Sequence, residues 1–346
     1  MKAAVLYGRE DLRVEDVPRL PLQTGEVRVR VEVALTCGTD LKVFKRGYHA
    51  RMIQPPALFG HELSGVIEEV ADQVADWRVG DRVVVANSAP CGVCFYCGHA
   101  QENLCEDLLF LNGAYAESIV VPSRLVLRNM VRLPDGMAFR DAALTEPLAC
   151  VVKGMEDLNL QRGQRVAIIG SGPIGLMFVA LTADLGCAVT VFGRGTRRLE
   201  QATLLGAAQV VDIPRDTPVT EVAKAGRSFD AVIEAVGQPA SWEQAVTLVR
   251  RGGVVNFFGG CPTGTTISLD TGLIHYSGLT LLASFHHTPA TIRQALRFIE
   301  KGLIRAGDFV DGTCPLDELP DLFRSMAQGN RTIKTAVQTG VTPSAK

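Results

Sequence analysis

The sequence of 346 residues predicts an α/β protein that combines a partly open β-barrel with a doubly wound parallel sheet. Three observations carry this prediction. Short period-two runs, separated by glycine and proline turns, fill residues 1 to about 125, as in small β-barrels. Between about residue 140 and residue 285, apolar strands alternate with helices, which is typical of a parallel sheet covered on both faces. A glycine-rich turn joins a strand to a helix early in this second region.

The barrel strands are predicted from alternation of apolar and polar residues. Residues 27–33 alternate valine with charged residues, and residues 82–85 continue from an arginine into three valines. Alternation puts every second side chain on the same face of a strand, so one face can be buried while the other meets water.

The parallel sheet is predicted from five apolar segments, at residues 165–170, 189–192, 209–212, 230–235 and 253–258. Helices fall between them, for example at 196–205 and 241–249. Each of these two helices is followed by a glycine, Gly206 or Gly252, which commonly ends a helix.

The last part of the chain is predicted to return to the barrel. It contains two amphipathic helices, at 289–301 and 318–328, and a closing strand at 334–338. We therefore expect residues 1–150 with 286–346 to form the first domain, and residues 151–285 to form the second.

Composition argues against nucleic-acid and membrane partners. The formal net charge is −2 and no basic tract is present. The longest apolar stretch, residues 166–183, is broken by Gly170, Pro173 and Gly175, which indicates a strand, a turn and a helix rather than a membrane span. Residues 1–7 are too short for the apolar core of a signal peptide, and the chain has nine cysteines, so we expect the reducing cytoplasm.

Four cysteines close together in the sequence predict a structural zinc site within a lobe at residues 88–108. They are Cys91, Cys94, Cys97 and Cys105. Thiolates separated by two residues on a tight turn can converge on one tetrahedral ion, and four sulfurs leave no position for a substrate. An iron–sulfur cluster is the alternative, but its bacterial spacing ends with three residues before a Cys-Pro pair, and here Glu106 follows the last cysteine.

A second metal site, with an open position, is predicted from Cys37, His61 and Glu62. Cys37 follows one predicted strand, and the other two residues precede the next. A thiolate, an imidazole and a carboxylate would leave zinc a free position for water or substrate, as a catalytic site requires. Glu146 is a further candidate ligand, because an unpaired carboxylate in its apolar stretch would be costly and a metal would remove that cost. Whether Glu62 or Glu146 is the third ligand stays open.

The glycine-rich turn has the pattern of a dinucleotide fingerprint. It consists of Gly170, Ser171, Gly172, Pro173, Ile174 and Gly175. Gly170 makes the turn, Gly172 lets the backbone approach a pyrophosphate, and Gly175 lets the helix pack on the strand. The N-terminus of that helix then binds the anion.

The end of the next strand favours NADP over NAD. An NAD enzyme places Asp or Glu about 20 residues after the fingerprint to hold the ribose 2′-hydroxyl. Gly193 occupies that position, followed by Arg194 and, close behind, Arg197 and Arg198. Guanidinium groups can bind a 2′-phosphate in bidentate fashion, so we predict contacts from Arg194 and Arg198. NAD is the alternative cofactor, because exposed arginines at the start of a helix are often only solvated.

Together these residues resemble the zinc-dependent medium-chain dehydrogenases, in the branch of sorbitol and threonine dehydrogenases. The resemblance covers nearly the full length. It is carried by Cys37-Gly38-Thr39-Asp40, Gly60-His61-Glu62 with Gly65, residues 79–83, the four-cysteine lobe, Glu146-Pro147 and the fingerprint. It implies a GroES-like barrel domain that holds both zinc ions, a Rossmann domain, an active site in the cleft between them, and a homodimer or homotetramer.

The resemblance also implies hydride transfer between a nicotinamide cofactor and a polyol, sugar or other secondary alcohol, or the matching ketone. Cys37, His61 and Glu62 would bind the catalytic zinc, and Glu146 would coordinate it or be linked through its water. Thr39 would begin the proton relay. Relatives typically carry histidine five residues after the ligand cysteine, where this chain has Lys42. Lys42 would end the relay or contact the cofactor or an anionic substrate.

Three other functions compete with this one. An activity like that of L-threonine 3-dehydrogenase uses the same site. A catalytically inactive relative with a binding role is disfavoured, because a protein that needs only to fold need not keep an open metal site. A zinc knuckle that binds nucleic acid is disfavoured by the absence of a basic stripe in the sequence.

Overall fold

The protein is described by a computed structural model, which covers residues 1–49, 51–214, 217–223, 228–329 and 332–340. Contacts within the chain divide it into two units. The first, called the barrel unit below, is Met1–Ala149 with Thr288–Lys346, and the second, called the nucleotide unit, is Cys150–His287.

The first part of the barrel unit consists mainly of short strands. They are β1 (Lys2–Gly8), β2 (Asp11–Asp16), β3 (Val27–Leu35), β4 (Ala57–Leu58), β5 (Leu63–Val70), β6 (Arg82–Val85), β7 (Ser88–Ala89), β8 (Leu109–Phe110), β9 (Ser118–Val121) and β10 (Met130–Arg132). The helices here are α1 (Gly38–Arg46), α2 (Phe95–Gly98), α3 (Ser123–Arg128) and α4 (Phe139–Ala142), with a 3₁₀ turn at Glu102–Leu104.

The nucleotide unit alternates strands and helices. The strands are β11 (Arg165–Ile169), β12 (Ala188–Gly193), β13 (Gln209–Asp212), β14 (Phe229–Glu234), β15 (Val249–Phe257) and β16 (Thr280–Leu282). The helices are α5 (Thr145–Leu158), which begins before the unit boundary, then α6 (Pro173–Asp184), α7 (Thr196–Leu204), α8 (Val219–Val222), α9 (Pro239–Leu248) and α10 (Thr271–Ser277).

The chain then returns to the barrel unit through α11 (Pro289–Glu300), α12 (Ala306–Phe309), β17 (Val310–Pro315), a 3₁₀ turn at Leu316–Glu318, α13 (Leu319–Ala327) and β18 (Lys334–Gln338). Strand β18 pairs antiparallel with β3, with Ala336 opposite Leu35, and parallel with β17. The last strand is thus an interior strand of the main barrel-unit sheet, whose order is β10-β6-β5-β3-β18-β17, with β9 paired to β3. A separate small sheet has the order β2-β1-β4.

An aromatic cluster fixes the C-terminal segment onto the barrel core. The ring of Phe323, on α13, lies 5.6 Å from that of Phe44, 5.4 Å from that of Phe59 and 6.0 Å from that of Tyr115. All four side chains are fully buried. Burying rings of this size is among the largest apolar contributions to a core, which explains why the C-terminal segment packs here.

The sheet of the nucleotide unit is parallel throughout, in the order β13-β12-β11-β14-β15-β16. The chain runs outward from β11 through β12 to β13, then crosses to β14 on the other side of β11. The order therefore reverses between β11 and β14, and in such sheets ligands bind beside the carboxyl ends of the strands at this switch point.

The α/β fold class predicted from the sequence is confirmed, and most predicted elements lie within a few residues of the observed ones. Strand β15 begins at Val249, four positions before the predicted start. Strands β16 and β17 were not predicted, because neither has enough alternating or continuous apolar residues to stand out. Within the described residues, no helix combines the length and the apolar character needed to cross a bilayer.

Candidate metal centres and dinucleotide site

Cys37, His61 and Glu62 come together in the barrel unit. Cys37 is the N-cap of α1, and its sulfur accepts a hydrogen bond from the Thr39 amide at 3.4 Å. The Sγ, imidazole nitrogen and carboxylate oxygen of the three residues lie within 4.8 Å of one another. A tetrahedral zinc with bonds of about 2.0–2.3 Å has its ligand atoms about 3.3–3.8 Å apart. The three donors therefore fit zinc after a small adjustment.

Asp40 orients the imidazole of His61. Its Oδ1 lies 2.8 Å from His61 Nδ1, and its Oδ2 accepts a hydrogen bond of 2.6 Å from the Tyr115 hydroxyl. All three residues are buried. With Nδ1 donating to Asp40, the Nε2 lone pair is left for a metal, the arrangement that fixes the tautomer of metal-binding histidines.

Local electrostatics favour a cation between these groups. Burial opposes a charge on His61, but Asp40 and the Cys37 sulfur outweigh it and raise the pKa of His61 well above its usual value. The same negative field that holds this proton would stabilise a metal ion in its place. Burial, together with Asp40, also raises the pKa of Tyr115 well above its usual value, so this residue stays a hydrogen-bond donor.

Lys334 holds the carboxylate of Glu62. Its Nζ donates to both oxygens, at 2.7 and 2.6 Å, and also to the Thr36 carbonyl at 3.0 Å. The two side chains are 2% and 0% exposed. Burial opposes the charge on Lys334, but Glu62 and Cys37 raise its pKa above the ordinary value. Both Glu62 oxygens accept hydrogen bonds from Lys334, so a metal bound here would have to share this carboxylate with the ammonium.

Glu146 lies in the first turn of α5 and is 5% exposed. Burial raises its pKa to about 7, with His61 opposing the rise and Glu62 adding to it. It is outside the group of three donors formed by Cys37, His61 and Glu62.

The two other predicted catalytic residues are Thr39 and Lys42. Both lie on α1, and both are half-buried.

The sulfurs of the four lobe cysteines converge, all within 4.8 Å of one another. Sγ–Sγ distances are 3.9 Å for Cys91 and Cys97, 3.5 Å for Cys94 and Cys97, and 3.9 Å for Cys94 and Cys105. Zinc–sulfur bonds of about 2.3 Å in a tetrahedron put the sulfurs about 3.8 Å apart, so the set fits zinc without rearrangement.

Backbone amides donate hydrogen bonds to the lobe sulfurs. The Cys91 amide donates to Cys105 Sγ at 3.2 Å, and the Gly92 amide donates to Cys97 Sγ at 3.3 Å. Amides of Cys97 and Glu106 lower the pKa of Cys94 to about 6, whereas burial raises the pKa of Cys97 to about 12. Gly92 has φ +83°, and a Cβ there would lie 2.1 Å from the Arg128 guanidinium, so the turn requires glycine.

In the nucleotide unit, the fingerprint follows β11 and opens α6. Gly170 has φ +116°, and a Cβ at Gly175 would lie 1.9 Å from the Gly170 carbonyl oxygen, so both positions require glycine. Gly172 is the N-cap of α6, and Pro173 occupies the first turn. A Cβ at Gly172 would meet nothing within 4 Å, so this position has open space beside the helix N-terminus.

The end of β12 lies beside this turn. A Cβ at Gly193 would lie 2.4 Å from the Cβ of Ser171, so a side chain at position 193 requires the two segments to separate. The Ser171 hydroxyl donates to the Arg194 carbonyl at 3.1 Å and accepts from the Arg194 amide at 3.0 Å. The Arg194 side chain is exposed, and Arg198 lies half-buried on α7.

Three residues around the group of Cys37, His61 and Glu62 were not assigned a role from the sequence. Two of them, Lys334 and Tyr115, were missed altogether, and the third, Asp40, was named without a role. Lys334 and Tyr115 are distant in sequence from the residues that they contact, and no local pattern marks either one. Asp40 was part of the quoted Cys37 motif, and a signal for its role was present. It lies three positions after Cys37 in the first turn of α1, where its side chain can face the same site.

Known proteins are similar to this chain over nearly its whole length. Residues 23–135 match the family described as "Alcohol dehydrogenase GroES-like domain", and residues 173–301 match "Zinc-binding dehydrogenase". An alcohol dehydrogenase of Geobacillus stearothermophilus is 32% identical, over 95% of this chain and 97% of its own. A sorbitol dehydrogenase of Bacillus subtilis is 29% identical, over 97% of each chain. Among solved structures, a zinc-binding dehydrogenase of Sinorhizobium meliloti bound to NADP superposes with a TM-score of 0.88, at 28% identity, over 97% of this chain and 98% of its own.

Proposed function

Because this chain belongs to the zinc-dependent medium-chain dehydrogenases, we propose that it is an NADP-dependent oxidoreductase that interconverts a secondary hydroxyl of a polyol or sugar with the matching ketone. The observation that carries the proposal is the buried group of Cys37, His61 and Glu62, with Asp40 behind the imidazole. A donor set with three protein ligands leaves room for substrate, unlike the closed set of four cysteines.

The barrel unit would hold two zinc ions, one with the Cys37 group and one in the lobe. Zinc at the first site would supply Lewis acidity toward the substrate oxygen. Asp40 keeps the Nδ1 proton of His61 in place, so that Nε2 faces the site. Lys334 neutralises Glu62 in surroundings without access to water. Thr39 and Lys42, two and five positions after Cys37 on α1, are the residues proposed to carry the hydroxyl proton outward.

The nucleotide unit would bind the dinucleotide at its switch point. The open space at Gly172, at the N-terminus of α6, suits a pyrophosphate. Gly193 contributes no carboxylate to repel a 2′-phosphate, and the exposed Arg194 beside it can bind one. A relative bound to NADP supports this cofactor, with NAD as the alternative.

The proposal is tested with a panel of polyols, sugars, amino alcohols and simple alcohols, assayed with NADP and NAD side by side. We expect turnover of polyols or sugars. At subsaturating cofactor concentration, this turnover should be faster with NADP than with NAD. Turnover confined to threonine would instead favour the amino-alcohol activity. A protein with about two zinc ions per chain that reduces no ketone and oxidises no alcohol would contradict the enzymatic role.

We also propose a homodimer or homotetramer in the cytoplasm. Val93, Phe95 and Leu127 expose 88%, 63% and 82% of their surface, which an interface between copies would cover. None of the nine cysteines, all of which lie in the described ranges, forms a disulfide, as expected in a reducing compartment. Light scattering coupled to size-exclusion chromatography tests the assembly, and a mass of one chain would contradict it.

A further inference from the structure

Glu234 ends strand β14, beside the switch point of the parallel sheet. Its register partner on β11 is Ile169, the residue before the fingerprint. The Glu234 side chain is fully buried, although it lies at the edge of the sheet where the dinucleotide is proposed to bind. A buried carboxylate in this position needs an explanation, because ionised side chains are seldom fully buried without partners.

The carboxylate of Glu234 binds the loop that follows it. Its Oε1 accepts hydrogen bonds from the amides of Val236 and Gly237, at 2.9 and 3.0 Å, and from the Ser241 hydroxyl at 2.7 Å. Its Oε2 lies 3.2 Å from the Gly237 amide. Several donors on one carboxylate make strong, directional hydrogen bonds, so the loop has one favoured conformation.

The loop held in this way packs closely against the fingerprint and against Gly259, two positions after the end of β15. The Ala235 amide donates to the Ile169 carbonyl at 2.9 Å. A Cβ at Gly170 would lie 3.1 Å from Val236 Cγ2, and a Cβ at Gly259 would lie 2.4 Å from the Gly237 amide nitrogen. The Val236 side chain is nevertheless 40% exposed, so one face contacts Gly170 and the other is open.

We propose that Glu234 is a positioning residue for the dinucleotide, because it fixes Val236 beside Gly170 as an apolar wall of the cofactor site. This inference rests on the proposed function, since it assumes that the nucleotide unit binds a nicotinamide dinucleotide. Glu234 itself is buried beneath the loop and acts through Val236 and Gly237. Its loss therefore affects cofactor binding and leaves the metal centres of the barrel unit unchanged.

Two variants separate this role from a general effect on folding. Glu234→Gln keeps the shape of the side chain but replaces one acceptor oxygen with a donor facing the Gly237 amide. Val236→Ala removes the wall and leaves the carboxylate network intact. Glu243→Gln is the matched control, because Glu243 also binds a loop amide, that of Ser268 at 2.8 Å, but from helix α9.

The experiment measures the dissociation constant of NADPH by fluorescence titration, together with KM for NADP, KM for the alcohol, kcat and zinc content. We expect Glu234→Gln to weaken NADPH binding about 10-fold and Val236→Ala about threefold, with kcat and the alcohol KM within about twofold of wild type. Glu243→Gln should bind NADPH as wild type does. If wild type binds NADPH but both test variants bind it within twofold of wild type, the positioning role is wrong. If wild type binds neither NADPH nor NADH, the proposed function fails first, and this inference fails with it.

Discussion

Lys334 and Glu62, separated by 272 positions in the sequence, form a buried ion pair in which Lys334 Nζ lies 2.7 and 2.6 Å from the two carboxylate oxygens. The pair includes Glu62, which forms the group of three donors with Cys37 and His61. It brings the last strand of the chain, β18, to the group of residues that the first part of the chain supplies.

Removing one partner of this pair should strongly lower the stability of the fold. Lys334→Met leaves the Glu62 carboxylate buried without its ammonium, and breaking a buried pair costs about 3–5 kcal/mol. We expect the free energy of unfolding in urea, measured on protein without metal at the Cys37 group, to fall by about that amount. The double variant Lys334→Met/Glu62→Gln should recover most of the loss, because no isolated charge remains.

The control for this pair is Lys2→Met. Lys2 forms an ion pair of 2.7 Å with Asp317, but both side chains are largely exposed, at 47% and 63%. Its removal should leave the free energy of unfolding essentially unchanged. Equal stability of Lys334→Met and Lys2→Met would show that the buried pair contributes nothing.

Asp40→Asn should weaken zinc binding at the Cys37 group. The neutral amide no longer holds the Nδ1 proton of His61 as strongly, so Nε2 becomes a poorer ligand. We expect the affinity of the more labile zinc to fall about 10–100-fold, measured by competition with a chromophoric chelator. Tyr115→Phe, which removes the hydroxyl contacts to Asp40 Oδ2 and to the Leu35 carbonyl but leaves the bond between Asp40 and His61, should have a smaller effect. Zinc affinity equal to that of wild type in Asp40→Asn would argue against a metal at His61.

The two metal sites should respond differently to loss of one cysteine. Cys37→Ala should reduce zinc from about two ions to about one per chain and abolish turnover, while the fold is retained. Cys94→Ala should instead lower the melting temperature by about 5 °C or more, because the lobe loses the ion that closes it. Elemental analysis and calorimetry check both statements. A Cys94→Ala protein with unchanged stability would contradict a structural role for the lobe zinc.

Arg194→Ala should change cofactor preference. Loss of one charge-assisted contact to the 2′-phosphate should raise KM for NADP about 10-fold and leave KM for NAD within about twofold. Arg251→Ala, an exposed arginine near the start of β15, is the matched control and should change neither value. Parallel increases for both cofactors in Arg194→Ala would refute the assignment of NADP.

The sequence alone determined those features that depend on neighbouring residues. The four lobe cysteines lie between residues 91 and 105, and their sulfurs meet because a short turn and a short helix leave them little freedom. The glycines of the fingerprint could be assigned for the same reason, since each is required by the backbone conformation or a close approach within one short turn. The alternation of strands and helices in the nucleotide unit could also be predicted from short stretches of sequence.

Only the tertiary structure decided which distant groups complete these sites. Tyr115 reaches Asp40 across 75 positions, and Lys334 reaches Glu62 across 272. Neither residue has a distinctive sequence context. The partner of a buried charge has to lie near it in the folded core, and its neighbours in the sequence do not show this. The role of Glu234 was hidden in the same way. At the end of an apolar strand it is one acidic residue among many, and only the folded loop shows which amides it binds. The spacing of residues along the sequence determines local geometry, whereas the partner of a buried charge is determined by the packing of the whole unit.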